Sequence, residues 1–486
     1  MKKILSLGIK EWFSGITSSS HLNNGLFFKA KGINPFVNPF PDSSQVGILQ
    51  TSKDPTDITG GVVVDSILAG ASRVTGANAG NLYMVGNAGH LYDKSLANDS
   101  APSELRPSTT ISSPANGLEI YQSNDGDKFL YYFRTTKIGR WDFDGPTGLF
   151  VDDWDTGLAS TPYHPTIFFK GDVYFGNLNA IGKIYSVLGS GASTASTSLL
   201  FPADFTTTCL SDDGNYLIAG ITKNLGDNTL RADTRIIFWD TVSQNFNKEW
   251  YLPDYSINAL VPFEGGHIAF CGRGIWYFGI ANKPVKLFNV NTAAAVPYGY
   301  PSVADSLNDA VIWGGGDDFL STYGKVTPDM ERRYFQPFKG LTGSPTFVEA
   351  TTRIDRVFVG TSTPKFYYYE LSGSGSTTTT VPETIFIDLK GEHHIQKIDL
   401  MLAEPLAVGD SFTLQTQTDE DATAVDWATI AYDATMAANE PHKKRYELLK
   451  DGGVISNQLK LLFNFYAGNV KIKNLDVYGE RIRGNE

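Results

Sequence analysis

The sequence predicts an all-β chain: a β-propeller of about seven blades followed by a C-terminal β-sandwich of jelly-roll type. Three observations carry this. Apolar strands ending in Gly recur at a regular interval, turn residues sit where hairpins need them, and runs with a 3.6-residue helical period are nearly absent. The 48 glycines, the 13% of aromatic residues and the many Thr and Ser also favour strands and turns over helices. At 486 residues the chain needs either a closed repeat array or more than one core.

The repeat is an apolar strand, a turn, and a second strand rich in aromatics. Its copies begin with Leu82-Tyr83-Met84-Val85-Gly86 before Leu91-Tyr92, and Phe129-Leu130-Tyr131-Tyr132-Phe133 before Trp141. Val173-Tyr174-Phe175-Gly176, Tyr216-Leu217-Ile218-Ala219-Gly220 and Ile268-Ala269-Phe270-Cys271-Gly272 follow. Val311-Ile312-Trp313-Gly314 and Val357-Phe358-Val359-Gly360 complete the set. The anchors at 86, 133, 176, 220, 272, 314 and 360 lie 42 to 52 residues apart, the length of a four-stranded blade. The longest interval holds a polar insertion, Thr222 to Thr234, expected as an extended hairpin loop. Such a blade has two apolar faces and must pack against neighbours until the ring closes. The recurring Gly is expected where a Cβ would clash or a strand must turn. Asn124-Asp125-Gly126 and Asp212-Asp213-Gly214-Asn215 precede apolar strands, as hairpin turns should.

Residues 50–375 are therefore assigned to the propeller. Residues 376–384, within the Ser/Gly/Thr-rich stretch from Ser372, form a linker, and 385–486 form the sandwich. Phe412/Leu414 and Val470/Ile472 alternate with polar residues there, as in a half-solvated sheet. Residues 1–49 lack this order, with Phe27-Phe28, Pro35-Phe36 and Pro39-Phe40-Pro41 scattered among polar residues. They are expected to form an extended arm lying on the propeller, with an arm lying against a partner subunit as the alternative. The apolar run near Met1 stops at Lys10-Glu11, short of a signal-peptide core, and no other stretch approaches a membrane span. A soluble chain made in the cytoplasm is the expectation.

A net charge of −12 argues against a general nucleic-acid binder, which needs a basic field. Lys443-Lys444-Arg445, followed by Glu447, reads as a solvated strand end. Cys209 and Cys271 sit in apolar strands and read as buried free thiols. His393-His394 are neighbours that point to opposite faces of a strand, which does not suit one metal ion. Asp152-Asp153-Trp154-Asp155-Thr156-Gly157 and Asp142-Phe143-Asp144-Gly145 gather carboxylates. They lack the spacing of a calcium loop and read as acidic turns. The Asp-box order of sialidase-like propellers fails at Ser123-Asn124-Asp125-Gly126. No catalytic, cofactor-binding or metal-binding residue is assigned, and the chain is expected not to be an enzyme.

Ser211-Asp212-Asp213-Gly214-Asn215-Tyr216-Leu217 resembles the strand-leading motif of WD40-like and TolB-like propellers, and Arg235 to Asp240 looks like their Trp-Asp strand end. As a whole the chain resembles tailed-phage virion proteins that join a propeller to a β-sandwich. The likeness lies in Gly32-Ile33-Asn34-Pro35-Phe36 through Gly47-Ile48-Leu49-Gln50, in Phe386-Ile387-Asp388-Leu389, and in Val470 through Gly479. This resemblance implies a structural subunit of a tail nozzle, hub or baseplate, located in the virion. It would contact other tail proteins and copies of itself in a homo-oligomeric ring, with DNA passing its acidic surface without sticking. The alternative is a host-receptor or glycan-binding propeller, with Phe366 to Tyr369 or Tyr298-Gly299-Tyr300 stacking on sugar. A glycosidase is the more distant alternative.

Overall fold

A computed structural model describes residues 1–7, 27–29, 49–50, 52–73, 80–106, 114–123, 126–143, 149–161, 163–184, 195–223, 233–290, 295–297, 299–307, 310–325, 332–351, 356–371, 383–384, 387–418, 421 and 423–482. The chain divides into two compact units, one of residues 56–318 and 341–368, the other of residues 1–55, 319–340 and 369–486. Four short strands come first: β1 (Lys2–Leu7), β2 (Phe27–Lys29), β3 (Leu49–Gln50) and β4 (Thr56–Asp57).

Seven four-stranded antiparallel sheets follow. Blade 1 comprises β5 (Ile67–Ser72), β6 (Asn81–Gly86), β7 (Leu91–Ser95) and β8 (Ser103–Arg106). Blade 2 comprises β9 (Pro114–Ser123), β10 (Gly126–Arg134), β11 (Ile138–Asp142) and β12 (Phe150–Asp155). Blade 3 comprises β13 (Thr166–Phe169), β14 (Asp172–Gly176), β15 (Ala180–Ile184) and β16 (Ala195–Leu200). Blade 4 comprises β17 (Phe205–Asp212), β18 (Leu217–Lys223), β19 (Thr234–Trp239) and β20 (Lys248–Leu252). Blade 5 comprises β21 (Ile257–Phe263), β22 (Gly266–Cys271), β23 (Gly274–Phe278) and β24 (Val285–Asn289). Blade 6 comprises β25 (Ala304–Leu307), β26 (Ala310–Gly314), β27 (Phe319–Gly324) and β28 (Arg333–Lys339). Blade 7 comprises β29 (Pro345–Thr351), β30 (Arg356–Thr361) and β31 (Phe366–Glu370), and takes its outer strand from β4.

The first strands pack in a cycle: β5 on β9, then β13, β17, β21, β25 and β29, which returns to β5. That cycle is the closed ring of a seven-bladed propeller. Asp57 pairs with Tyr367 and Thr56 with Tyr368, so residues from before blade 1 complete the last blade. Thr59 fastens this joint: its Oγ1 accepts the Phe366 N–H at 3.0 Å, and its own N–H and hydroxyl donate to Asp57.

Most glycine anchors fall at or near the ends of the second strands, Gly220 in the middle of its strand, each where a neighbouring strand or loop presses close. A Cβ at Gly314 would stand 2.2 Å from Pro345 Cβ, and one at Gly360 would stand 2.9 Å from Ile67 Cβ. At Gly220 it would meet Cys209 Sγ at 2.5 Å. Close packing is therefore the reason for these glycines. Blade 2 carries Phe133 instead, and the small residue moves to the adjoining strand. A Cβ at Gly117 would meet the His164 carbonyl at 2.2 Å and Phe133 Cβ at 3.0 Å. The space that a glycine opens elsewhere holds the Phe133 ring, 5.1 Å from that of Phe175.

The second unit is built on a nine-stranded antiparallel sheet. Its strands are β1 to β3 together with β32 (Glu383–Thr384), β33 (Ile387–Leu402), β34 (Ser411–Thr418), β35 (Val425–Ala431), β36 (Arg445–Ala467) and β37 (Lys471–Arg481). A six-residue helix, α1 (Ala434–Asn439), lies between β35 and β36. The long β36 belongs to two wings: its first half pairs with β33, its second half with β34. Bulges at Asp388/His393 and Ile395/Lys397 coincide with positive φ at Lys390, Gly391, Gly452 and Gly453, and they bend the sheet. Both wings contribute to one core, including Ile398, Leu400, Val477, Phe412, Leu414 and Phe463. Across it, the Trp427 indole donates to the Leu448 carbonyl at 3.2 Å and Lys450 Nζ to the Asp426 carbonyl at 2.9 Å. This is the sandwich, folded from one continuous sheet.

The beginning of the chain departs from the expected arm on the propeller. Residues 2–7 form an edge strand on β37, with Leu7 buried in the core of this sheet, and Leu49-Gln50 also pair with β37. Alternation puts Ser6 outward, donating to Asp476 at 2.5 Å, and Leu7 into the core, and the bulge between Lys3 and Leu5 lets Lys3 reach the same Asp476 at 3.3 Å. The proline-rich segment at 35–41, the Gly32–Phe36 resemblance, most of the linker and most of the 222–234 insertion lie outside the described residues. No described helix is long and apolar enough to cross a membrane.

Candidate functional site

Blades 1 and 5 share a clip. Asp65, just before β5, accepts the Ala88 N–H at 3.0 Å from the β6–β7 turn and is bonded by the Tyr92 hydroxyl on β7. Asp254, before β21, does the same with the Arg273 N–H and the Trp276 indole N–H, both at 3.0 Å. Each carboxylate thus ties the loop before the first strand to the turn between the second and third.

The blades differ in what surrounds the clip. In blade 1 His90 lies between Asp65 and Glu104, at 3.3 and 3.5 Å, and stacks on Tyr92. Register places Gly274 of blade 5 where blade 1 has His90, and Lys286, opposite Trp276, where blade 1 has Glu104, opposite Tyr92. Without a side chain at 274, Lys286 folds across the turn; a Cβ there would sit 2.2 Å from its Cε. Its ammonium stops 3.7 Å from Asp254, beyond hydrogen-bond distance, and lies over the Trp276 ring.

The result is a surface hollow of about 380 Å³ lined by Tyr251, Asp254, Tyr255, Arg273, Lys286 and Asn289. Tyr251 is 56% exposed, and the Arg273 guanidinium stacks on Tyr255 at 4.0 Å. Arg273 has no carboxylate partner among the described residues. With Asp254 buried and committed to the clip, two cations face one carboxylate on an otherwise acidic chain. The hollow has the size of a small-ligand site, with a lining more polar than most.

A second hollow, about 150 Å³, lies where the first strands converge, lined by Gly70, Glu119, Thr166, Leu210, Leu260 and Ser302 among others. Glu119, Asp305 and Glu349 sit on inner strands of blades 2, 6 and 7. Burial pushes the Glu119 carboxyl up to about 7, against the pull of the Ile120 and Phe168 N–H groups, and Glu349 adds to the rise. Burial and then the charge of Glu349 raise Asp305; burial also raises Glu349, although the Ser72 hydroxyl bonds it.

Of the residues singled out in the sequence, most serve the fold. Asp152 bonds Arg106 and Tyr132, both at 2.6 Å; Asp153 pairs with Arg134 and Lys137; Asp155 caps Gly157. No group of three metal-ligating side chains occurs among the described residues. Asp144-Gly145 and Asn124-Asp125 lie outside them. Asp212 and Asp213 close the β17–β18 turn around Gly214 at φ +81°. Asp240, in the Trp-Asp strand end, accepts from Val242, Ser243 and Asn247, and these bonds depress its pKa.

Cys209 and Cys271 are free and share the core between blades 4 and 5; burial pushes the Cys209 thiol up to about 12 and raises Cys271 as well. His393 bonds the Gly391 carbonyl and His394 that of Gly452, so both hold the sheet's bend. Arg445 pairs with Asp399 at 2.6 Å and Lys443 with Glu440. Phe366, Tyr367, Tyr368 and Tyr369 are 0 to 5% exposed and form core, so they offer no sugar platform; Tyr298 is outside the described residues.

No family model and no curated protein match the chain. It is similar to solved structures of U3-55K (12% identity, TM-score 0.47) and of the mitotic checkpoint complex (13%, 0.45). A third is the Neurospora crassa Pan2 WD40 domain (10%, 0.43). Each alignment covers 66% of this chain and 96 to 99% of the other.

Proposed function

We propose that this chain is a non-enzymatic structural subunit that acts through protein–protein contacts, and that its assembly is a tailed-phage particle. The observation that supports an assembly role is the C-terminal sheet. There, among the described residues, β35 pairs with β34 alone and has no described partner on its other edge, and Val425, Met401, Leu449 and Ile455 are 41 to 67% exposed. Open edges and exposed apolar side chains suit subunit contacts. The propeller serves as rigid mass, since its ring is closed and its last blade fastened by an earlier strand. The phage setting rests on the sequence resemblance alone.

Mass spectrometry of purified particles, with copy number, tests the reading. A copy number that is a multiple of six supports a tail ring, and absence from particles overturns the phage assignment. Native mass spectrometry of the purified chain tests assembly separately: a monomer at all concentrations overturns the self-association.

A further inference from the structure

We propose that the hollow beside blade 5 binds a saccharide bearing a carboxylate, such as a uronic acid residue. The proposal is independent of the assembly role. Three observations carry it. The first is the internal comparison: the same clip in blade 1 is filled by His90 and countered by Glu104, whereas in blade 5 Gly274 removes the filler and Lys286 reverses the charge. A merely structural clip needs neither change.

The second is the lining. Arg273 is pre-oriented on the Tyr255 ring without spending its hydrogen bonds on a carboxylate, and Lys286 stands too far from Asp254 to donate to it. Both can therefore donate to an anion without breaking an existing hydrogen bond. The third is Tyr251, whose exposed ring flanks the same hollow. A pyranose presents an apolar C–H face to such a ring and hydroxyls to the Asn289 amide and tyrosine hydroxyls. An acidic peptide would draw on the cations alone.

The test uses the purified full chain and three probes: a galacturonic acid tetrasaccharide, its neutral methyl ester, and a tetraglutamate peptide. Titration by isothermal calorimetry and ligand-observed NMR should show saturable binding of the acidic saccharide. The methyl ester and the peptide should each bind at least roughly tenfold more weakly. Arg273→Gln and Tyr251→Ala, both on exposed side chains, should each weaken binding about tenfold with unchanged thermal unfolding. Gly274→Ala provides a separate check, since the added methyl displaces Lys286 and should weaken binding without touching Arg273. The proposal is overturned if no acidic saccharide binds at 10 mM (about 2.7 kcal/mol at most), if the peptide or inorganic phosphate binds as well, or if Arg273→Gln and Tyr251→Ala leave affinity unchanged.

Discussion

Glu119→Gln should make the propeller more stable at pH 8 and leave it nearly unchanged at pH 4. Glu119 sits on an inner strand with its carboxyl pushed from 4.5 to about 7, chiefly by burial. Below 4.5 the group is protonated whether the chain is folded or not, so it adds no pH dependence. Between 4.5 and 7 the unfolded chain gives up the proton and the folded chain keeps it, and stability falls as pH rises. Above 7 the full difference is present. A shift of that size corresponds to about 3 kcal/mol at 1.36 kcal/mol per unit. Water reaching the hollow reduces it, so about 1–2 kcal/mol is expected. The assay is thermal or urea unfolding of both proteins at pH 4, 6 and 8, taking the difference between them. That subtraction removes the pH dependence of groups that do not interact with Glu119, leaving that of Glu119 and its neighbour Glu349. A difference that is constant across the three pH values would refute a buried carboxyl with a raised pKa.

Further outcomes follow from particular residues. Gly314→Ala places a methyl 2.2 Å from Pro345 Cβ and should cost about 1–3 kcal/mol in thermal unfolding. Gly214→Ala has open space but φ +81°, and should cost about 1 kcal/mol; a larger loss at 214 than at 314 would contradict the blade-packing role. Thr59→Val removes the hydroxyl bonded to Asp57 and Phe366, and hydrogen exchange at Ile58 and Phe366 should accelerate. Protection unchanged there would show that the Thr59 hydroxyl is not what fastens this joint. For Asp399, burial raises the carboxyl, but Arg445 and Lys397 outweigh it and hold it below its ordinary value of 3.8. Its stabilisation is present above 3.8 and lost as pH falls through the lower folded value, so Asp399→Asn should destabilise at pH 7 and progressively less toward pH 3. Trp427→Phe should cost about 1 kcal/mol through the lost bond to Leu448, read by urea unfolding.

The ring was legible because its second strands are buried on both faces, leaving apolar runs such as Val311-Ile312-Trp313 beside glycines forced by packing. Phe133 broke the pattern only in appearance, since Gly117 supplies the missing space from the next strand. What stayed hidden were relations between distant residues. Two residues, Thr56 and Asp57, are too short a strand to announce themselves, and only their pairing with Tyr367 and Tyr368 completes blade 7. Lys2 to Leu7 fell within the segment read as an extended arm, because nothing near it in the sequence marks it as a strand. Its partner, β37, lies more than 460 residues further along the chain. Glu119 and Glu349 sit on first strands, where alternation puts every second side chain toward the axis. The recurring pattern followed the second and third strands and passed them by.

The hollow beside blade 5 shows why such a site resists detection by motif. No residue in Tyr251, Asp254, Tyr255, Arg273 or Lys286 is unusual by type, and they come from two blades. Only superposing the repeat on itself reveals that glycine has replaced histidine and lysine has replaced glutamate around an unchanged aspartate clip. A propeller tolerates this because the clip, the inner strands and the interblade glycines already fix each blade. Positions 90 and 274, or 104 and 286, then vary at little structural cost. Variation at such positions is where a repeat built for rigidity acquires chemistry of its own. In this chain the described clips of blades 1 and 5 differ in the sign of the charge they present.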